Sequence, residues 1–180
     1  MNHVYIATSL DGYIATRDGG IDWLHEIPNP SNSDYGYSEF MIKIDALLMG
    51  RNSYEKVRTF NEWPYEKKVF VLSSTLNEVP AELSDKVAIV SGSLEEVLVD
   101  INSMGFKHLY IDGGQVIQSF LAADLIDELI ITRVPILLGD GIPLFGFLEE
   151  SLKFEHKTTE VYDNALVKNH YIRCKQKPVS

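Results

Sequence analysis

The run Leu109-Tyr110-Ile111-Asp112 breaks off at Gly113-Gly114, and from Gln115 onward apolar residues recur at helical spacing. A strand can pass directly into a helix through Gly-Gly because neither residue carries a Cβ. The same turn leaves backbone N–H groups free at the mouth of a sheet, where an anion can approach. A tight corner without a ligand and a phosphate cradle both fit these residues taken alone.

The pattern recurs along the chain. Ala46-Leu47-Leu48-Met49 is a continuous apolar run, as expected of a strand buried on both faces, and it ends at Gly50-Arg51-Asn52-Ser53 before a short helix from Tyr54. Residues 68–72 form the next strand, ending at Ser73-Ser74-Thr75, and residues 87–90 another. Ser93 with Glu96 three residues later is a capping box, opening a helix over about 94–104 that Gly105 stops. Upstream, a short strand over 4–7 leads to the turn signal Asp11-Gly12. A polar loop follows, and Ser31 or Ser33 is placed to cap a helix over about 34–44 with Tyr37, Phe40, Met41 and Ile44 on one face.

Residues 125–134 read as a long strand, and residues 135–145 as a rigid apolar loop. Residues 153–162 and 165–175 alternate like two strands joined at Asp163-Asn164. Strands separated by helices and closed by an antiparallel pair predict a three-layer α/β protein. Its sheet is mixed but mostly parallel, with helices on both faces and a C-terminal hairpin, in one domain over 1–180.

Composition narrows the function. A net charge of −10 argues against nucleic acid and against electrostatic attachment to an anionic membrane, but not against an anionic ligand held by local cations. Cys174 is the single cysteine, which leaves no internal disulfide and no thiolate zinc cluster. The five histidines lack ligand spacing, so no metal is expected. The N-terminus lacks a signal-peptide pattern, and no apolar run reaches the roughly 18 residues of a membrane span. A cytoplasmic protein is the expectation.

Ligands of open α/β sheets collect at the carboxyl ends of the strands. There the chain places Gly50-Arg51-Asn52-Ser53, Ser73-Ser74-Thr75 and Gly113-Gly114-Gln115. Helix N-termini carry unpaired N–H groups, and Arg51 adds a forked cation, so the set favours a nucleotide. Other nucleotide signatures are missing. Gly139-Asp140-Gly141 begins like a dinucleotide fingerprint, but Leu144 replaces the third glycine and Pro143 interrupts it; no P-loop occurs.

Taken as a set, Ser9-Leu10-Asp11-Gly12-Tyr13-Ile14-Ala15, Leu48-Met49-Gly50-Arg51, Leu72-Ser73-Ser74 and Asp112-Gly113-Gly114 resemble the dihydrofolate-reductase-like superfamily. Leu125-Ile126-Asp127-Glu128-Leu129, followed by Pro135 through Phe145, is similar to the riboflavin branch, the C-terminal reductase domain of the bifunctional riboflavin-biosynthesis deaminase-reductase. The resemblance implies a dihydrofolate-reductase-like fold and NADPH as hydride donor. It implies that Gly50, Arg51, Asn52 and Ser53 meet the phosphates, with Arg51 at the 2′-phosphate, and that Ser73 and Ser74 meet the adenosine end. Gly113, Gly114, Gln115 and Val116 would meet the pyrophosphate and nicotinamide. The chain departs from the branch in lacking a deaminase-like zinc domain and in carrying Asp112 where Glu is usual.

Three carboxylates are candidate catalytic groups. Asp34 is nearest in order to the pterin-binding acid of dihydrofolate reductases but also suits a helix cap, and Asp11 is half of a turn. Asp112 must turn away from a phosphate, toward a glycine N–H or the amino and imino groups of a heterocycle. Trp23 and Tyr13 are either core residues or a stacking wall. The leading expectation is an NADPH-dependent reductase of a small heterocycle, carbonyl or imine. The alternative is a nucleotide-binding protein of the same fold without reductase activity, acting as a sensor or structural dimer. The apolar excess over 125–145 predicts a homodimer, as the resemblance to the riboflavin branch also implies.

Overall fold

A computed structural model describes residues 1–162 and 165–175. Strands β1 (Asn2–Thr8), β3 (Ala46–Gly50), β4 (Lys68–Leu72), β5 (Val87–Val90), β6 (Leu109–Asp112), β7 (Glu128–Arg133), β9 (Phe154–Val161) and β10 (Val167–Arg173) form one sheet in the order β5-β4-β3-β6-β1-β7-β10-β9. Pairings from β5 through β7 are parallel, and β10 joins β7 and β9 antiparallel. Short strands β2 (Tyr13–Ala15) and β8 (Ile142–Pro143) pair apart from it. This is the expected dihydrofolate-reductase-like layering. Asp163 and Asn164, the expected hairpin turn, lie outside the described residues.

Apolar runs such as Ala46–Met49 are buried on both sides because helices cover both faces. On one face Leu48, Phe70 and Ile111 meet α3 (Leu94–Ser103) and α4 (Gly114–Ala122) through Val97, Ile101, Ile117 and Phe120. On the other, Leu47, Met49, Val69, Val71 and Tyr110 meet Phe40 of α1 (Tyr37–Ile42) and Tyr54 of α2 (Arg51–Val57). Ser93 and Glu96 form the capping box that sequence predicts.

Three boundaries differ from expectation. Helix α1 is only six residues long, because Tyr35 and Gly36 both take positive φ (56° and 89°) and delay its start. Helix α2 begins at Arg51, immediately after β3. Strand β7 begins at Glu128 rather than residue 125: Leu125 N–H still bonds Phe120 O behind α4, and Asp124 turns the chain at φ 52°.

The amino end of the sheet is tied by side chains from four chain segments. Glu128 is hydrogen-bonded to His3 Nδ1 and lies 2.5 Å from His170 Nε2, while His3 Nε2 is 3.2 Å from His108 Nδ1. No described helix is long and apolar enough to cross a membrane.

Candidate functional site

At the carboxyl ends of β3, β4, β5 and β6 the corners open on one cleft of about 380 Å³. Gly50, Arg51 and Asn52 line it from the start of α2, Ser73, Ser74 and Thr75 from the end of β4, and Gln115, Val116 and Ser119 from α4. Gly50 has an ordinary φ of −78°; its need is space, since a Cβ there would sit 3.1 Å from Val116. Gly113 is different. Its φ of 88° suits glycine, and an added Cβ would collide with Ser53 Oγ, so α2 and α4 begin side by side.

Of the ten residues expected to hold a cofactor, Gly50, Arg51, Asn52, Ser73, Ser74, Gln115 and Val116 line the cleft. Ser53 and Gly113 stand behind it as the contact between the two helix starts, and Gly114 lies beneath Ile14 and Ile142 of the small sheet. Sequence reading left out Ser91 and Gly92, which also line the cleft. The signal was available: they follow β5 as Ser73 and Ser74 follow β4.

Arg51 spans the mouth. Its Nε donates to Glu55 Oε1 at 2.7 Å, one turn along α2, and its Nη1 donates to Thr75 Oγ1 at 3.0 Å. Half of the side chain remains exposed.

Asp112 ends β6 on the α1 face of the sheet. It accepts the Gly113 N–H, and burial raises its carboxyl above the ordinary value more than that bond lowers it. No cation offsets the burial. Phenols surround it: burial first and the Asp112 charge second push the Tyr37 hydroxyl to about 12, and the same pair of causes raises Tyr65 and Tyr110 further. These phenols come from α1, from the loop before β4 and from β6, so spacing along the chain did not reveal them.

The other two candidate acids have structural partners. Asp11 accepts from Ser9 Oγ at 2.6 Å and from the N–H groups of Leu138 and Gly139 at 3.2 and 2.7 Å, and these bonds lower its carboxyl, the serine most. Asp34 accepts from the N–H groups of Gly36 and Ser38, both at 2.9 Å; with the Ser38 side chain leading, its bonds bring it to about 2. One clamps the loop after β7, the other caps the start of α1, and neither acts on Asp112. Trp23 is core, packed with Val134 and Leu166 at 5% exposure, rather than a stacking wall.

The model of the RibD C-terminal domain matches residues 3–168. The chain belongs to that family. A Shewanella sp. PV-4 protein, provisionally classed with riboflavin biosynthesis, is 53% identical to this member and superposes with a TM-score of 0.93, covering 97% of this chain and 99% of its own. The Thermotoga maritima diaminohydroxyphosphoribosylaminopyrimidine deaminase/5-amino-6-(5-phosphoribosylamino)uracil reductase superposes at 0.75 with 16% identity; 97% of this chain matches 56% of that one. Dihydrofolate reductase from Enterococcus faecalis, complexed with NADP(H), superposes at 0.65 with 20% identity over 97% of each chain. At these identities the last two establish the shared fold. Proteins of riboflavin type and of dihydrofolate-reductase type share its architecture.

Proposed function

We propose that the chain is an NADPH-dependent reductase of a small heterocycle, of the kind represented by 5-amino-6-(5-phosphoribosylamino)uracil or dihydrofolate. The observation that carries this reading is the shared cleft, where two helix starts, two serine corners and Arg51 converge. The residues fit a dinucleotide: Gly50 lines the cleft without a side chain, Gly113 lets the starts of α2 and α4 come together behind it, and the remaining lining is rich in hydroxyl and N–H donors. When bound, NADPH supplies a hydride from nicotinamide C4.

The chain's own groups hold and orient. The start of α4, with Gln115 and Val116, receives the pyrophosphate; Ser73 and Ser74 receive the adenosine end; Arg51 offers its free Nη2 to the 2′-phosphate. Asp112, kept protonated to higher pH by burial, offers its O–H to a ring nitrogen or carbonyl oxygen of the acceptor. Tyr37 and Tyr65 stay neutral beside it and wall the acceptor from water.

The test is NADPH binding by fluorescence, then NADPH oxidation with the phosphoribosylaminouracil and with dihydrofolate. Turnover on either acceptor, with NADPH preferred over NADH, is the expected result. Tight NADPH binding without turnover on any pterin or pyrimidine acceptor would support the nucleotide-binding alternative. No binding of either dinucleotide would end both readings.

The same proposal includes a homodimer in the cytoplasm. Ile131, Val134 and Leu144 are buried within the subunit, at 8% exposure or less, which reduces the apolar excess read from sequence. Leu137 and Phe147 remain exposed at 68 and 86%. Sedimentation equilibrium is expected to give twice the chain mass and Phe147→Arg to lower it. A single-chain mass at micromolar concentration would end the dimer proposal. Leu138 is unsuited to the test because it packs on the Trp23 cluster.

A further inference from the structure

A second cavity, of about 220 Å³, lies away from the cleft, where the carboxyl end of β1 meets β7 and β10. Its lining includes Thr8, Leu10, Ile131, Arg133, Phe145 and Asn169. Three of these present polar groups without partners.

Thr8 is only 3% exposed, yet its hydroxyl has no hydrogen bond among the described residues. The hydroxyl is not among the fully buried unpaired atoms, so it opens on the cavity, where a bound group can pair with it. Arg133 is the second. Arg17, Arg51 and Arg173 pair with carboxylates and Arg58 lies over the Tyr54 ring, whereas Arg133 has no hydrogen bond, ion pair or aromatic face among the described residues. Arg133 is exposed, so its guanidinium is free to reach an occupant of the cavity. Third, the Asn169 amide uses its Oδ1 to accept from Thr159 Oγ1 at 2.8 Å, which leaves its Nδ2 as a free donor.

The set is donor-rich. Asp11, the one carboxylate in the lining, already accepts from Ser9, Leu138 and Gly139. The remaining wall is apolar: Ile131, Leu10 and Phe145, with the Tyr171 ring beside them. One guanidinium and two neutral donors match one planar, singly charged acceptor group, and the wall matches a hydrocarbon body. A phosphate dianion would find a single cation and too much apolar surface. We propose that this cavity binds a small organic monocarboxylate, held by Arg133, Thr8 and Asn169 and packed on Ile131 and Phe145.

The full chain, labelled with nitrogen-15, is to be titrated with benzoate, butyrate, benzamide and inorganic phosphate while the amide resonances of Leu10, Gly12 and Arg133 are followed. Saturable shifts with benzoate or butyrate, at a Kd of about 1 mM or below, are expected, with benzamide and phosphate at least about tenfold weaker. Arg133→Met is expected to weaken benzoate at least about tenfold and the near-isosteric Thr8→Val several-fold, both with unchanged folding. Benzoate binding that ignores both substitutions, or no saturable shift, would overturn the site. So would shifts that follow protein concentration instead of benzoate and vanish in Arg133→Met: the occupant would then be a second copy of the chain.

Discussion

Asp112 and Glu128 lie on the same face of the sheet at opposite ends, and both are largely withdrawn from solvent, yet their carboxyls shift in opposite directions. Burial acts upward on each. At Glu128 it is outweighed by two imidazoles, His3 and His170, whose hydrogen bonds and charge bring the group below its ordinary value. At Asp112 only the Gly113 N–H opposes it, and the neighbours are phenols. One end of the sheet therefore has its charge compensated and the other leaves it uncompensated. The compensated end holds strands together; the uncompensated end faces the corner at Gly113 and Gly114. An acid whose ionisation burial disfavours is costly to the fold and suited to giving up a proton in a reaction.

The largest expected effect comes from removing the proton while keeping the shape. Asp112→Asn is expected to lower turnover by about 100-fold or more, the ordinary scale of general acid catalysis, with NADPH affinity unchanged. Turnover within about threefold of the parent would remove Asp112 from the chemistry and with it the functional half of the contrast.

Next in size is the opposite end. Glu128→Gln is expected to cost roughly 1.5–3 kcal/mol of stability at neutral pH, the range for hydrogen bonds to charged groups, with binding and turnover preserved. The pH dependence gives the sign. A carboxyl lowered by folding adds stability above its unfolded value of about 4.3 and loses it as pH falls toward the folded value. The difference between the Glu128→Gln variant and the parent is thus expected to shrink on acidification; denaturant melts at neutral and acid pH measure it. A constant difference would mean that shape, rather than charge, matters at this end.

Arg51→Ala follows. It is expected to weaken NADPH about tenfold, near the low end for a charged hydrogen bond because the side chain is half exposed, and to leave NADH little changed. Equal losses for both dinucleotides would remove Arg51 from the 2′-phosphate.

The smallest effect is on stability in the first variant. A carboxyl raised by folding favours the fold below its unfolded value of about 3.9 and detracts from it as pH rises toward and past the folded value. Asp112→Asn is accordingly expected to melt slightly higher than the parent at neutral pH, by a few degrees at most. A variant that melts lower would show that the Asp112 environment favours the charge after all.

Much of this molecule was local enough to be determined by sequence. Apolar runs ending at Gly50, Ser73 and Gly113 specify strand, corner and helix within a dozen residues, through φ freedom and the loss of a Cβ, so the cleft residues were named before their geometry. The capping box at Ser93 is equally local. Asp34 and Asp11 were ambiguous because an acid before a helix or in a turn looks the same whether it serves N–H groups or a substrate; only the fold names the N–H groups that each one serves. The tertiary structure alone decided the strand order that puts β1 between β6 and β7, and hence the approach of His3 to Glu128 and of Thr8 to Arg133. It also gathered Tyr37, Tyr65 and Tyr110 around Asp112 from three separate segments. Contacts between residues scores of positions apart are set by how whole faces pack, and neither local propensity nor period encodes which partner a buried charge will meet.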